Sequence, residues 1–405
     1  MTTVERTEPI ELDDAFFENP DGLYRELRVD RPAVRATGPN GLGFWMITRY
    51  ADARAALNDP RLLKDSRRIP PILERHRASG TERAFTDALV GHMLNADPPD
   101  HTRLRKLVSR AFTMRAIARL RPRIEEIATE LADAMAAAGP DVDLLDEFAF
   151  PLPMAVICEI LGVPQDRRDD FRHWSSTLLS HAPDDERAAA AAAMSRFLTD
   201  LVADKAANPG EDMLSVIVRA SEDGDSLTHG ETTAMAFLLL VAGHETTVNL
   251  IGNGMAALLR DPAQRAVLAE DPDKIPHAVE EFLRYDGPVD LATFRFTDEP
   301  VEIDGITIPA DELVLVSLLG ANRDPERYAE PERLDVERDA SGHLAFGYGI
   351  HHCLGAPLAR LEADIAFRTL LSRFPDMTLR GEPGPHRIST LINGLTSLPV
   401  RLTVG

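Results

Sequence analysis

The sequence predicts a mainly α-helical protein with a smaller β-rich part, and three observations predict it. Between about Asp100 and Arg284 long helical patterns dominate, many ended by Pro or Gly, as at Gly139-Pro140 and Pro209-Gly210. One of them opens on Thr228 and Glu231, a Thr-x-x-Glu capping box, and runs to Asp261-Pro262 without a proline. Outside this region the patterns are short and strand-like. Phe44-Trp45-Met46-Ile47-Thr48 is one such run, and after Pro288 come Val301-Glu302-Ile303 and Leu313-Val314-Leu315-Val316. Asp304-Gly305 and Pro309-Ala310 separate the latter segments, which therefore read as hairpin strands.

Composition bounds the function classes. The 405 residues show no linker-like stretch, so one unit spanning residues 1–405 is expected. Hydrophobic residues make up 44% and charged residues 27%, the balance of an ordinary globular protein. A net charge of −22 argues against nucleic acid as a general partner, because phosphate binding needs a basic footprint. Only two cysteines occur, Cys158 and Cys353, so folding needs no disulfide scaffold and a reducing, cytoplasmic compartment is expected. Residues Met1 to Asp14 carry several acids and no apolar run, which reads as neither signal peptide nor membrane anchor. No window reaches about 18 uninterrupted apolar residues, so no membrane span is expected.

The long helix carries the first chemical question. At roughly 30 residues it would span about 45 Å. Its centre, Met235 to Val241, is apolar on nearly every face and is expected to be buried all round. Polar residues at its middle then need a reason. Read alone, Gly243, Glu245 and Thr246 in Ala242-Gly243-His244-Glu245-Thr246-Thr247 suit a kink stabilised by side-chain hydrogen bonds.

The second question is Cys353. It lies in Phe346-Gly347-Tyr348-Gly349-Ile350-His351-His352-Cys353-Leu354-Gly355-Ala356-Pro357-Leu358-Ala359-Arg360, a glycine-punctuated loop that delivers a cysteine to the start of a helix running from about Pro357 to Phe374. Unpaired N–H groups at Leu354, Gly355 and Ala356, together with the helix dipole, should lower the thiol pKa. Gly349 and Gly355 would let a flat ligand approach the backbone. Three readings compete: a buried structural cysteine, a reactive thiol or zinc ligand shared with His351 and His352, and the axial ligand of a haem iron. Cys158, in an apolar run, reads as a small buried hydrophobe.

The spacing from Phe346 to Gly355 closely resembles the haem-binding signature Phe-x-x-Gly-x-His/Arg-x-Cys-x-Gly of the cytochrome P-450 family. Ala242 to Thr247 resembles that family's oxygen-activation motif, and the resemblance extends from about Asp13 to Leu402. It implies the cytochrome P-450 fold, haem b (iron protoporphyrin IX) as cofactor, and Cys353 as its metal ligand, with Phe346, Gly349 and Gly355 shaping the loop. Gly243 would leave room for dioxygen, Thr246 would hydrogen-bond it on the iron, and Glu245 would relay protons from solvent. His101 and Arg105, four apart and on one helix face, would hold the haem propionates with Arg295 and His351. The Glu281 to Arg284 pair, joined by Arg338, would support the cysteine loop structurally.

The same resemblance implies a monooxygenase that hydroxylates or epoxidises a bulky apolar small molecule with O2. A macrolide or other polyketide is the first expectation, with steroids, secosteroids and terpenoids as alternatives and a non-catalytic haem sensor as a further one. No reductase extension or dinucleotide fingerprint occurs, so electrons are expected from a ferredoxin and an NAD(P)H-dependent reductase. Eight bases without an acid lie between His101 and Ile124, from Arg103 to Arg123, a candidate docking site for that acidic partner. The variable substrate segments fall near Leu62 to Leu94, Phe171 to Arg187, Met235 to Ala242, Asp290 to Phe294 and Thr390 to Gly394. Bases outnumber acids in the first, which argues against an amino sugar seated there, whereas Asp184, Asp185 and Glu186 in the second could seat one.

Overall fold

The computed structural model describes residues 9–39, 41–76, 87–179, 182–222 and 225–403. Seven of its helices position the site: α1 (Asp100–Ser109), α2 (Arg121–Ala138), α3 (Pro151–Leu161), α4 (Asp184–Ala207), α5 (His229–Arg260), α6 (Ile275–Asp286) and α7 (Ala356–Arg373). The capping box forms as expected at the start of α5. Thr228 Oγ1 accepts from Glu231 N at 3.2 Å, and the Glu231 carboxylate accepts from Thr228 N at 2.8 Å. From there α5 runs unbroken for 32 residues, so Gly243 does not interrupt it.

Helices α2, α3, α4, α6 and α7 all pack on α5 or on its neighbours, and one continuous apolar cluster joins them. α5 is long and apolar enough to cross a membrane, but 78% of its most apolar window is buried inside the protein. Its apolarity is explained by core packing. Burial is not uniform, however. Met235 to Leu240 are buried, whereas Ala242 is exposed and Val241, Gly243 and Thr246 are partly accessible. The expectation of burial therefore holds for Met235 to Leu240 and ends at Val241, beyond which one face of the helix opens.

The β-rich part is a six-stranded sheet built from β1 (Ile10–Glu11), β2 (Ala33–Thr37), β3 (Gly43–Ile47), β4 (Leu62–Leu63), β5 (Arg295–Thr297) and β6 (Leu313–Val316), in the order β1-β2-β3-β6-β5-β4. Here the hairpin reading is half corrected. Val301–Ile303 does pair with Ile306–Ile308 around Asp304 and Gly305, both at positive φ. β6 leaves that hairpin and pairs in parallel with β3 and antiparallel with β5. All four β6 residues are buried, so the strand needs neighbours on both edges, one from the N-terminal region and one from the segment just before it in the chain.

Candidate active site at the cysteine loop

The loop before α7 is closed by its own backbone. Cys353 N donates to Phe346 O at 2.9 Å, and Gly347 and Gly349 turn the chain with φ of 70° and 76°. A Cβ on Gly349 would sit 2.6 Å from Asn58 Oδ1 and 3.1 Å from Leu57 O, so glycine is required there by a neighbouring loop as well as by φ. A Cβ on Gly355 would lie 3.9 Å from Cys353 Sγ, an ordinary contact. At Gly349, packing within the protein therefore demands glycine in its own right.

The thiol of Cys353 is accessible, whereas Cys158 is buried against the Met154 sulfur at 3.8 Å and is pushed up to about 11 by burial. The Cys353 pKa corrects another expectation. The surrounding protein raises it by desolvation, and the N–H groups of Gly355 and Ala356 and the Arg105 and Arg360 guanidiniums oppose that rise without overcoming it. Helix-terminus polarity is present but is outweighed by the desolvation that the nearby protein imposes on the sulfur.

Two cationic struts brace the loop. Arg105, on α1, donates to His352 O at 2.7 Å. Arg360, on α7, lies 4.5 Å from the Phe346 ring centroid and binds Glu280 of α6 at 2.6 and 2.8 Å. His343 meets the same carboxylate at 3.1 Å. Burial alone would raise the Glu280 pKa, but Arg360 and His343 hold it down at about 2. Beneath lies the Glu281 to Arg284 pair, wholly buried at 2.6 and 2.8 Å, with Arg338 adding a third contact at 3.2 Å. Arg284 also donates to the carbonyls of Asn322 and Pro331, so the triad ties α6 to the chain leading into the loop.

On another side of the loop, basic side chains are buried together. The His101 and His351 rings stand 4.4 Å apart, and among the described residues neither nitrogen of the buried His101 ring has a hydrogen-bond partner. Burial, then Lys64 and other nearby cations, drive His351 down to about 2, so it is neutral. Arg295 is buried and lowered to about 10 by desolvation, with Asp97 opposing. Lys64, not singled out from the sequence, is also buried in this cluster. A buried ring with two unpartnered nitrogens beside unneutralised cations suits an anionic ligand carrying hydrogen-bond acceptors, as haem carboxylates are.

On α5, close helix packing gives Gly243 a reason of its own to be small. A Cβ there would stand 3.0 Å from Ile157 Cδ1, so the residue permits α3 to pack closely, while exposed Ala242 lies on the open stretch. Thr246 Oγ1 donates back to Ala242 O at 2.8 Å. Glu245 is buried with both carboxylate oxygens free of hydrogen bonds among the described residues. His244 Nε2 and Arg387 Nη1 each lie 3.6 Å from one of them. Burial pushes Glu245 up, but those two neighbours outweigh it and hold the carboxyl below its usual range. Arg387 is half-exposed, so it links a buried acid to solvent.

Among the described residues no three His, Cys, Asp or Glu side chains gather as a metal site, which leaves the zinc reading of His351, His352 and Cys353 without support. A family model described as Cytochrome P450 matches residues 169–402. The chain belongs to the cytochrome P450 family. This P450 is 49% identical to a vitamin D(3) 25-hydroxylase of Pseudonocardia autotrophica, over 96% of its own length and 94% of the relative's. It is 43% identical to a 6-deoxyerythronolide B hydroxylase of Saccharopolyspora erythraea, over 99% and 100% of the two chains. The solved structure of the tirandamycin C-bound P450 monooxygenase TamI superposes with a TM-score of 0.90 at 48% identity, covering 98% of this P450 and 100% of TamI. The P450 is therefore a monooxygenase with the fold of its family, whose members bind haem b through a cysteine thiolate and take electrons from redox partners.

Ion pairs form in both of the basic segments of the folded P450. Of the basic stretch, Arg103 pairs with Glu231 and Asp225, Arg121 with Asp364, and Arg123 with Glu159. Lys106, Arg110, Arg115 and Arg119 stay exposed. In the first substrate segment, Arg67 pairs with Asp65, Arg68 with Asp298 and Arg75 with Asp311, while Lys64 is buried; Arg77 and Arg83 lie outside the described residues. Among the described residues, three bases of that segment are therefore held in local ion pairs. Asp290, placed in another substrate segment, is buried and accepts from Tyr24 Oη at 2.5 Å, a structural contact.

Proposed function

We propose that Cys353 ligates the haem iron, that His101, Arg105, Arg295 and His351 hold the haem propionates, and that Glu245 and Thr246 manage protons on the opposite side. The observation that carries this reading is the accessible Cys353 at the N-terminus of α7, flanked by buried His101, whose two ring nitrogens have no partner among the described residues, by buried Arg295 and by half-buried His351. Coordination to a metal deprotonates a thiol outright, which removes the burial penalty on Cys353.

Bound haem supplies the activation of dioxygen, with two external electrons, for insertion of one oxygen atom into a C–H or C=C bond while the other leaves as water. The chain's own part is positional and protonic. Arg105 and Arg360 keep the loop from shifting under the sulfur, and the N–H groups of Gly355 and Ala356 point at it. Thr246 turns its hydroxyl from Ala242 O to donate on the accessible face of α5. Glu245, ionised at neutral pH, accepts a proton at its carboxylate and passes it inward, and half-exposed Arg387 connects it to solvent.

The substrate is a bulky, mostly apolar natural product, first a macrolide or other polyketide. The hydroxylase of 6-deoxyerythronolide B and the tirandamycin C-bound TamI support this, and the vitamin D(3) 25-hydroxylase supports a secosteroid as the second reading. The electron donor is a ferredoxin with its NAD(P)H-dependent reductase, docking on exposed Lys106, Arg110, Arg115 and Arg119, and the enzyme works in the cytoplasm.

A ferrous carbon-monoxide difference spectrum tests the ligand, and a ferric titration with macrolide, secosteroid and terpenoid panels tests the substrate. A strongly red-shifted Soret band that Cys353→His abolishes is expected, with a low-to-high-spin shift for the macrolides. A histidine-type spectrum in the wild-type protein would overturn the ligand assignment. Reduction rates insensitive both to ionic strength and to Arg115→Glu would sink the ferredoxin surface.

A further inference from the structure

Lys64 follows β4 and is 1% exposed. A lysine so buried is rare unless something neutralises it. Its ammonium faces Thr293 Oγ1 at 2.6 Å, Phe294 O at 3.1 Å and Thr293 O at 3.4 Å. These acceptors are uncharged. Thr293 O also accepts from Arg295 Nη1 at 3.2 Å, so two buried cations share one carbonyl.

Among the described residues the carboxylate that acts on Lys64 is Asp97, and its oxygens are already bound by the backbone N–H groups of Lys64, at 2.9 and 3.1 Å, and of Asp65, at 2.9 Å. Burial and the Arg295 charge both push the Lys64 pKa well below its ordinary value. Two buried cations with one occupied carboxylate between them are an electrostatic deficit. His92 and His351 cannot fill it, because an imidazole side chain carries no negative charge. Anionic groups arriving from outside the chain would.

Resting on the haem reading above, we propose that Lys64 is a positioning residue for the two cofactor propionates. It fixes the Thr293-Phe294 backbone that aims Arg295, and it supplies a second buried positive charge that the carboxylates neutralise. The hydrogen bonds explain the fixed strand, and the missing counter-charge explains why a lysine occupies a slot that an apolar side chain would fill at lower cost.

The test uses stripped protein titrated with haem and with haem dimethyl ester, which lacks the two negative charges. Wild-type protein should prefer haem, and Lys64→Met should shrink that preference about tenfold, the size of one charge-assisted contact. Lys64→Gln keeps amide donors for Thr293 and Phe294 without the charge. It should lose the same preference, and it reads the charge if Lys64→Met does not fold. In the reloaded holoproteins the ferric/ferrous midpoint potential should fall in both variants, because a nearby positive charge favours the reduced iron. If wild type binds haem and its diester equally, the propionate reading itself fails. If wild type discriminates and both variants discriminate equally well with unchanged potentials, Lys64 is a packing residue and the proposal is overturned.

Discussion

Arg387 Nη1 stands 3.6 Å from Glu245 Oε2, so a half-exposed cation and a buried acid meet at the middle of the longest helix. Arg387 is one of the groups that lower the Glu245 pKa against the pull of burial. Arg387→Met should therefore raise that pKa and move the acid limb of the kcat profile to higher pH. Glu245→Gln should lower kcat about 100-fold, with the carbon-monoxide spectrum unchanged. Steady-state rates across pH, with product formed per NAD(P)H consumed, check both; an unaltered kcat in Glu245→Gln would remove the proton role.

Glu280 makes acid stability a readout of the cysteine-loop brace. Its folded pKa is held at about 2, whereas an unfolded glutamate titrates near about 4.3. A depressed carboxylate stabilises the fold above the unfolded value and loses that contribution as pH falls toward the folded one. Up to about 3 kcal/mol should disappear between roughly pH 4.3 and 2. Urea unfolding at several pH values should show Glu280→Gln less stable at pH 7 and flatter across that window.

Glu281→Ala should be among the most damaging changes outside the site, because it leaves the Arg284 charge buried with only carbonyls around it. The expected cost is about 3–5 kcal/mol. Denaturation midpoints measure it, and Arg284→Met in the same background should recover part of the loss.

Gly243→Val tests whether helix packing dictates the glycine. Its Cβ would press on Ile157 Cδ1 at 3.0 Å, and the overpacking should cost about 1–3 kcal/mol. In a double-mutant cycle, Ile157→Ala should offset part of the loss that Gly243→Val causes. Additive losses would place the constraint elsewhere.

The α5 helix was legible because its signals are local: the Thr228 to Glu231 cap, the apolar periodicity and the stop at Asp261-Pro262. The Cys353 loop was legible for the same reason, since its glycines, histidines and cysteine are neighbours in the chain. Lys64, Arg387 and Glu280 were not, because each matters through a partner distant in the chain, and nothing in the local pattern distinguishes a buried lysine from a surface one. The pairing of β6 with β3 belongs to the same class, since strand edges find partners by shape and burial.

By itself the sequence determined the helical class, the long central helix, the cysteine loop and the residues at its flanks, because helix caps, turn residues and periodicity act over a few positions. Tertiary structure alone decided which charges are neutralised and which thiol pKa direction wins. It also decided that Gly243 faces Ile157 while Ala242 faces the open side. Those outcomes depend on desolvation and through-space charge, and both are set by what the fold brings within a few ångströms.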